Sequence, residues 1–398
     1  MKQFDAIIIG AGACGLMCAA QAGLRGKKTL VVERNDKPGA KILISGGGRC
    51  NYTNLHTTKD NFVSENPHFL NSIFSQWSVD DTINFFENYG GISGEEKTLG
   101  QLFPTTNKAK DIVSTFTKLL FDTQQDIWLN SEVKDLLPVE GGYELVIHRD
   151  NNVFRVFCKK VVLASGGLPV AKLGASDFAL KTGRKFGLNI IPTAPALVPL
   201  TITGKEADWY ASLAGNSVFA RVYNDKIQFE ENILFTHWGL SGPAILQISS
   251  YWRPSETFTI DLLPTQSLDK LIQQERNNGG KRTIAQLLHD YFSKKLVESF
   301  GKYLPLDIKI ASLSKSDAKT IISTIHQFKV KPAGDKGYDK AEVMRGGIDT
   351  NELNAKTLEI KKSPGLYVGG EAVDITGWLG GYNFQWAWAS GYVIAQDL

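Results

Sequence analysis

The chain has 398 residues, enough for two or three domains at about 150 residues each and for a sizeable core. With 42% apolar and 21% charged residues it reads as globular, which excludes a disordered or fibrous class. Lys and Arg number 44 against 41 Asp and Glu, so the net charge of +3 advertises neither a nucleic-acid nor a membrane partner. Four cysteines without a CxxC spacing cannot form a disulfide framework and fit a reducing cytoplasm.

Phe4 to Ile9 is a short, β-branched apolar run, as a strand buried on both faces requires. The uncharged stretch from Ala6 to Ala20 is too short to span a bilayer and is broken by glycines, so it reads as a strand entering a helix. Gly10-Ala11-Gly12-Ala13-Cys14-Gly15 follows, then a helical stretch from Leu16 to Leu24 closed by Gly26. Lys28 to Val32 is a second strand ending at Glu33. This is a βαβ unit with GxGxxG at its first turn. Gly10 permits the turn, Gly12 lets backbone approach a pyrophosphate, and Gly15 lets helix and strand pack closely. The opening of the helix faces the phosphates with free N–H groups. The Glu33 carboxylate would accept from a ribose diol and repel a 2′-phosphate, which points to FAD or NAD.

Lys41 to Asn54 reads as a long loop. Gly46, Gly47 and Gly48 expose backbone to a flat or anionic ligand. Lys41 and Arg49 add positive charge, and Asn51 and Asn54 add polar side chains. Three β-like runs, residues 127–137, 143–148 and 154–158, form a meander with turns at Gly141-Gly142 and Asp150 to Asn152. A buried strand, Lys160 to Ala164, then ends in Ser165-Gly166-Gly167, where Ala164, Ser165 and Gly166 can again approach a cofactor.

Past Pro192, Pro195 and Pro199 the pattern changes. Residues 196–265 read as a β-rich lobe, with strands at 217–223, 226–230 and 257–262. Residues 266–344 read as a helical lobe, with helical spacing over 284–300 and a helix start at Ser316-Asp317. Both are expected as an insertion roofing the cofactor. Residues 266–304 carry seven Lys and Arg against four Asp and Glu, which a solvated helix face explains. Gly365 to Gly369 is a last strand, followed by Gly370, Glu371 and Asp374. Gly380-Gly381-Tyr382 introduces a helix from Asn383 to Gln396. Asp374 suits ribityl hydroxyls, and this helix start suits the flavin N1–C2=O edge. Three distant segments thus form one discontinuous domain, residues 1–195 and 345–398. A molecule as long as FAD needs such distant contacts, and NAD on a Rossmann half-domain does not.

Catalytic candidates are few. Lys97 and Gln101 lie between the glycine loop and the meander, and His237 sits in Phe235-Thr236-His237-Trp238-Gly239-Leu240-Ser241-Gly242-Pro243. Cys50 has no CxxC partner for disulfide chemistry, and no HxH or HExxH supports a metal. Trp378, Trp386 and Trp388 lie near the closing glycines and could wall a substrate pocket.

The stretches GAGACGLMCAAQAG, KPGAKILISGGGRCNYTN, LFTHWGLSGPAILQISSYW and GLYVGGEAVDITGWLGGYNFQWAWASG resemble the BaiN/RdsA-type, aminoacetone oxidase-like flavoprotein family, in its YhiN branch. The resemblance covers essentially the whole chain. It implies a glutathione-reductase-like, Rossmann-type α/β FAD domain with an inserted β-barrel and helical lobe. It implies FAD contacts from Gly10, Gly12, Ala13, Gly15, Glu33, Arg34, Lys41, Gly47, Gly48, Cys50 and Asn51. Val133, Gly370, Glu371, Asp374, Gly381, Tyr382 and Asn383 complete the set, Val133 through a backbone contact to adenine. Members are linked to reduction of 3-oxo steroids or to amine oxidation. The expectation is an FAD-dependent oxidoreductase passing hydride from NAD(P)H, bound transiently, to a small molecule with an enone or carbonyl group. The alternatives are an oxygen-dependent amine or alcohol oxidase, an RNA-modifying flavoprotein and a non-enzymatic flavin-binding protein.

Overall fold

The computed structural model describes residues 4–398, which divide into two compact units: residues 4–194 with 343–398, and residues 195–342. The first unit is built on a five-stranded parallel sheet. Its order is Leu366–Val368, Lys160–Leu163, Ala6–Ile9, Thr29–Val32, Asp126–Trp128. The two central strands, Ala6–Ile9 and Thr29–Val32, are buried along their whole length, as their unbroken apolar runs require. Helix Ala13–Leu24 follows the first strand, and the C-terminal helix Tyr382–Asp397 crosses it at Gly391, where a Cβ would stand 2.4 Å from the Cys14 carbonyl. Only glycine permits that approach.

The expected first meander run, 127–137, is in fact two strands. Asp126–Trp128 joins the parallel sheet, and Asn130, at φ 49°, turns the chain into Ser131–Val139. That strand, Gly142–Arg149 and Asn152–Cys158 make a three-stranded antiparallel meander. Residues 40–48 are also not loop throughout: Ala40–Gly48 is helical, broken at Ser45, Gly46 and Gly47. Ala40 to Ile44 make the helical turn, with Ile42 alone buried, and the left-handed glycines end it.

The second unit carries a seven-stranded antiparallel sheet. It runs Phe328–Val330, Phe258–Asp261, Ser217–Tyr223, Gln228–Thr236, Gly239–Ser241, Leu200–Thr201, Gly334–Asp335. Its two edge strands therefore come from the stretch assigned to the helical lobe. Residues 331–333 alone join them, a reach of at most about 14 Å, so the sheet curls back on itself as a barrel does. The helical spacing over 284–300 is two short helices, Ile284–Leu288 and Lys294–Phe300, each opened by a Thr or Ser cap. Helix Lys315–His326 starts where expected, capped by Ser314.

Candidate functional site

The first turn is shaped by what its glycines exclude. Gly10 has φ 106°, and a Cβ there would lie 2.5 Å from the Ala164 carbonyl oxygen. A Cβ on Gly15 would lie 1.9 Å from the Gly10 oxygen, so any other residue would break the turn. Gly12 differs. Its φ of −80° suits any residue, and no other part of the protein comes within 4 Å of where its Cβ would be. The fold does not need glycine at 12; open space beside a helix start does. Helix Ala13–Leu24 has no side-chain cap and no acid in its first turn, which leaves its leading N–H groups and positive dipole end for an anion. Glu33 is buried, with Oε2 accepting from the Ala11 N–H at 2.8 Å and Oε1 from the Asn35 N–H at 2.9 Å.

Two further segments close on this turn. The Gly39 N–H donates to the Ala11 oxygen at 2.8 Å, which brings in the helix carrying Lys41. Lys41 Nζ pairs with Glu371 Oε2 at 2.8 Å, and Glu371 Oε1 accepts from the Met344 N–H at 3.1 Å. The Ala164–Gly167 turn lies against both neighbours: Ala164 faces Gly10, and a Cβ on Gly167 would sit 3.0 Å from the Glu371 carboxyl carbon. Gly370 packs on Cys14, with its N–H donating to Ser390 Oγ at 3.0 Å. Gly46, Gly47 and Gly48 are all left-handed, and so is Cys50 at φ 61°, a conformation costing a non-glycine residue about 1–2 kcal/mol. Arg49 stays exposed, its guanidinium 5.3 Å over the Phe103 ring.

The C-terminal glycines meet the 50–54 stretch. Asn51 Nδ2 donates to Gln101 Oε1 at 3.2 Å, Asn54 Nδ2 to the Gly380 oxygen at 2.8 Å, and a Cβ on Gly381 would strike the Thr53 oxygen at 2.4 Å. The helix opening at Tyr382 has Gly381 as its cap and no side-chain cap bond. Asn383 spends its amide on the turn before it, bonding the Gly377 N–H and carbonyl. Asp374 is buried and accepts from the Glu65 N–H at 2.9 Å; burial raises its carboxyl above the usual range. Val133 is buried two residues after Ser131, whose N–H donates to the Glu33 oxygen at 2.9 Å, so the meander reaches the end of the second strand.

Other candidates fall elsewhere. Arg34 is exposed and reaches only the Gly174 oxygen at 3.4 Å. Lys97 is exposed and pairs with Glu95 at 2.7 Å, a hairpin contact. Of the two, only Gln101 meets the glycine segments. His237 is exposed on a tight turn of the second unit. Trp386 and Trp388 are core residues, not pocket walls: their indole N–H groups donate to the Gly370 and Tyr52 oxygens, and Trp388 stacks on Phe116 and Phe384. Cys14 and Cys50 are buried, and burial pushes both thiols up to about 12, which removes them as nucleophiles at neutral pH.

The fit to a long dinucleotide shows in what is left unsatisfied. Among the described residues, four buried side-chain polar atoms have no hydrogen-bond partner: Asn51 Oδ1, Tyr52 OH, Ser165 Oγ and Arg345 Nε. Each such atom costs about 1–3 kcal/mol, and native folds tolerate few without reason. Asn51 and Ser165 lie on the converging segments, whereas the Tyr52 hydroxyl points into the core beside Gly94. Arg345 was not singled out in the sequence, although Met344-Arg345-Gly346-Gly347 sets a cation before a double glycine. The Gly12 opening and the uncapped helix suit the pyrophosphate. Glu33 suits the adenosine ribose, and the Asn51–Gly381 corner suits the ring end.

Comparison with known proteins agrees with this architecture. A family model described as HI0933-like protein Rossmann domain matches residues 4–397. The chain is 44% identical over 403 residues to the ribosomal RNA dihydrouridine synthase of Escherichia coli K12, covering 100% of this chain and 98% of that protein. It is 27% identical over 404 residues to the 3-dehydro-bile acid delta(4,6)-reductase of Clostridium scindens, covering 98% and 97%. Among solved structures, 3-ketosteroid delta1-dehydrogenase from Sterolibacterium denitrificans shares the fold at a TM-score of 0.50 and 13% identity, covering all of both chains. The chain belongs to the HI0933-like Rossmann-domain family and is a flavoprotein oxidoreductase built on an FAD-binding domain of that fold.

Proposed function

We propose that this chain reduces the C5=C6 bond of a uridine in ribosomal RNA, with NAD(P)H as the electron source. The observation that carries the reading is the full-length, 44% identity to a ribosomal RNA dihydrouridine synthase. The chemistry has a common form. The uracil C5=C6 bond is conjugated to the C4 carbonyl, as a steroid Δ4 bond is to a 3-oxo group, and the second relative is named as a reductase of such a compound. This is the enone acceptor of the sequence reading, carried on RNA instead of a free small molecule. Balanced, uridine, NAD(P)H and one proton give dihydrouridine and NAD(P)+. Bound FAD supplies the two-electron relay between nicotinamide and acceptor.

The residues of the chain do the rest. The Gly10–Gly15 turn and the helix behind it hold the pyrophosphate. Glu33 anchors the ribose. Lys41 and Glu371 form an ion pair that ties the helix at 40–48 to the C-terminal segment and keeps both in register. Asn51, Gln101 and the Gly380-Gly381 turn orient the ring end. Burial keeps all four cysteines as neutral thiols, so none serves as a thiolate nucleophile.

The test is anaerobic incubation of purified holoprotein with NADH or NADPH and ribosomal RNA transcribed without modifications. Digestion and mass spectrometry should find one uridine carrying two added hydrogens. A flavin absorbance that neither nicotinamide bleaches, or RNA that gains no hydrogen, sinks the reading. If a free enone is reduced and RNA is not, the small-molecule reading replaces it.

A further inference from the structure

The strand Val343–Ile348 carries a residue that nothing above uses. Arg345 is half-buried, its Nε is enclosed without an acceptor, and among the described residues no ion pair, hydrogen bond or ring engages its guanidinium. A guanidinium is charged at every accessible pH and is poorly left unpaired away from water.

Its surroundings are fixed from both sides. Before it, the Met344 N–H donates to Glu371 Oε1 at 3.1 Å, and the Met344 carbonyl accepts from Thr376 Oγ1 at 2.9 Å. After it, Gly347 lies so close to Ala372 that a Cβ would sit 2.6 Å from that residue's oxygen, and the Ile348 carbonyl accepts from the Asp374 N–H at 2.9 Å. The strand is therefore stapled along the C-terminal cofactor segment, residues 371–376. The 165–167 turn reaches the same place, because a Cβ on Gly167 would stand 2.8 Å from Met344 Sδ. Ser165 on that turn holds the second unpartnered donor, its Oγ. Two donors without acceptors, one of them cationic, thus sit on segments that meet at Glu371.

We propose that Arg345 binds a conjugated carbonyl oxygen on which negative charge gathers during the reaction. This rests on the reductase reading above. Hydride addition to the far carbon of C=C–C=O moves an electron pair onto that oxygen, and a fixed cation lowers the barrier only if it is in place beforehand. Two groups present this chemistry: the C4 carbonyl of the uracil, and the C2 carbonyl of the isoalloxazine.

The experiment compares Arg345→Gln, Arg345→Lys and wild-type holoprotein. FAD content is measured first, then the midpoint potential of the bound FAD, then kcat and KM with unmodified ribosomal RNA. If the oxygen belongs to the acceptor, R345Q keeps its potential and loses about 10²–10³ in kcat, the scale for one oxyanion donor, while KM moves less. If it belongs to the flavin, the potential falls, by about 30 mV for each tenfold loss of stabilisation. In either case R345K, which keeps the charge, recovers most of the loss. Wild-type potential and kcat in R345Q overturn the proposal, and so does an R345K that loads FAD yet is no better than R345Q. Should wild-type protein leave uridine untouched, the functional reading falls alone, and the role of Arg345 is then read with a free enone as acceptor, where an unchanged potential together with an unchanged kcat in R345Q overturns it.

Discussion

Replacing Gly12 by Ala separates the needs of the cofactor from the needs of the fold. The new methyl group enters space where no atom beyond the adjoining backbone lies within 4 Å, at a φ of −80° that alanine accepts. Alanine stiffens the unfolded chain, a gain of about 0.4–1 kcal/mol, and is a poorer helix cap, a loss of similar size. The apoprotein should therefore unfold within about 0.5 kcal/mol of wild type. Bound FAD is another matter, because the methyl occupies the approach of the pyrophosphate to the backbone. A hundredfold weaker affinity is the expected scale, about 2.7 kcal/mol. The assay is urea unfolding with and without FAD. At an FAD concentration of about 100 times the wild-type Kd, the ligand stabilises wild type by about 2.7 kcal/mol and a variant weakened a hundredfold by about 0.4 kcal/mol. Gly15→Ala is the contrast, since its Cβ would fall 1.9 Å from the Gly10 oxygen and the apoprotein itself must lose stability. If G12A binds FAD as wild type does, or if its apoprotein is as damaged as that of G15A, the phosphate site is misplaced.

Glu33→Ala strips the acceptor from the buried Ala11 N–H and the Asn35 N–H, so the apoprotein should lose about 1–3 kcal/mol in urea titrations even without FAD; an unshifted midpoint would remove Glu33 from the frame of the turn. Asp374 has a folded pKa raised by burial, so it favours the folded state most fully below its unfolded pKa of about 3.9, and that contribution is lost as pH rises through the higher folded value. Asp374→Asn does not titrate and can still accept from the Glu65 N–H, so the variant should gain on wild type as pH climbs from about 4 towards neutrality; a difference that ignores pH contradicts the burial argument. All four cysteines are buried, and Cys14, Cys50 and Cys158 are pushed up to about 12, so a thiol reagent at pH 7 should label none in the native protein and four in denaturant. One fast native thiol would reopen cysteine chemistry.

Local signals carried the parallel sheet well. Phe4 to Ile9, Lys28 to Val32 and Lys160 to Ala164 are apolar runs bounded by glycine or charge, and each is a strand within two residues of its expected ends. The turn at Leu129-Asn130 was missed because the runs on either side merge in composition, although Asn130 is the kind of non-glycine residue that accepts a left-handed bend. Ala40–Gly48 looked like loop because three glycines outweigh one apolar turn in any window. The strands Phe328–Val330 and Gly334–Asp335 are too short for periodicity to register and owe their pairing to distant partners. In the site, glycines with a steric reason were legible, as at Gly10, Gly15 and Gly381. Lys97 and Arg345 were not, because a charged residue looks the same in sequence whether an acid beside it takes its charge, as Glu95 does for Lys97, or nothing does.

The edge strand Leu366–Val368 pairs with Lys160–Leu163, made about 200 residues earlier. On a ribosome adding about 5–20 residues per second, the earlier strand waits some 10–40 seconds with one flank exposed. Nascent chain must therefore mature out of order: residues 195–342 have time to condense while the nucleotide-holding half stands unfinished. Bare parallel flanks invite wrong partners, which makes the arrival of Leu366–Val368 a completion signal and its loss a route to aggregates rather than to a smaller working protein.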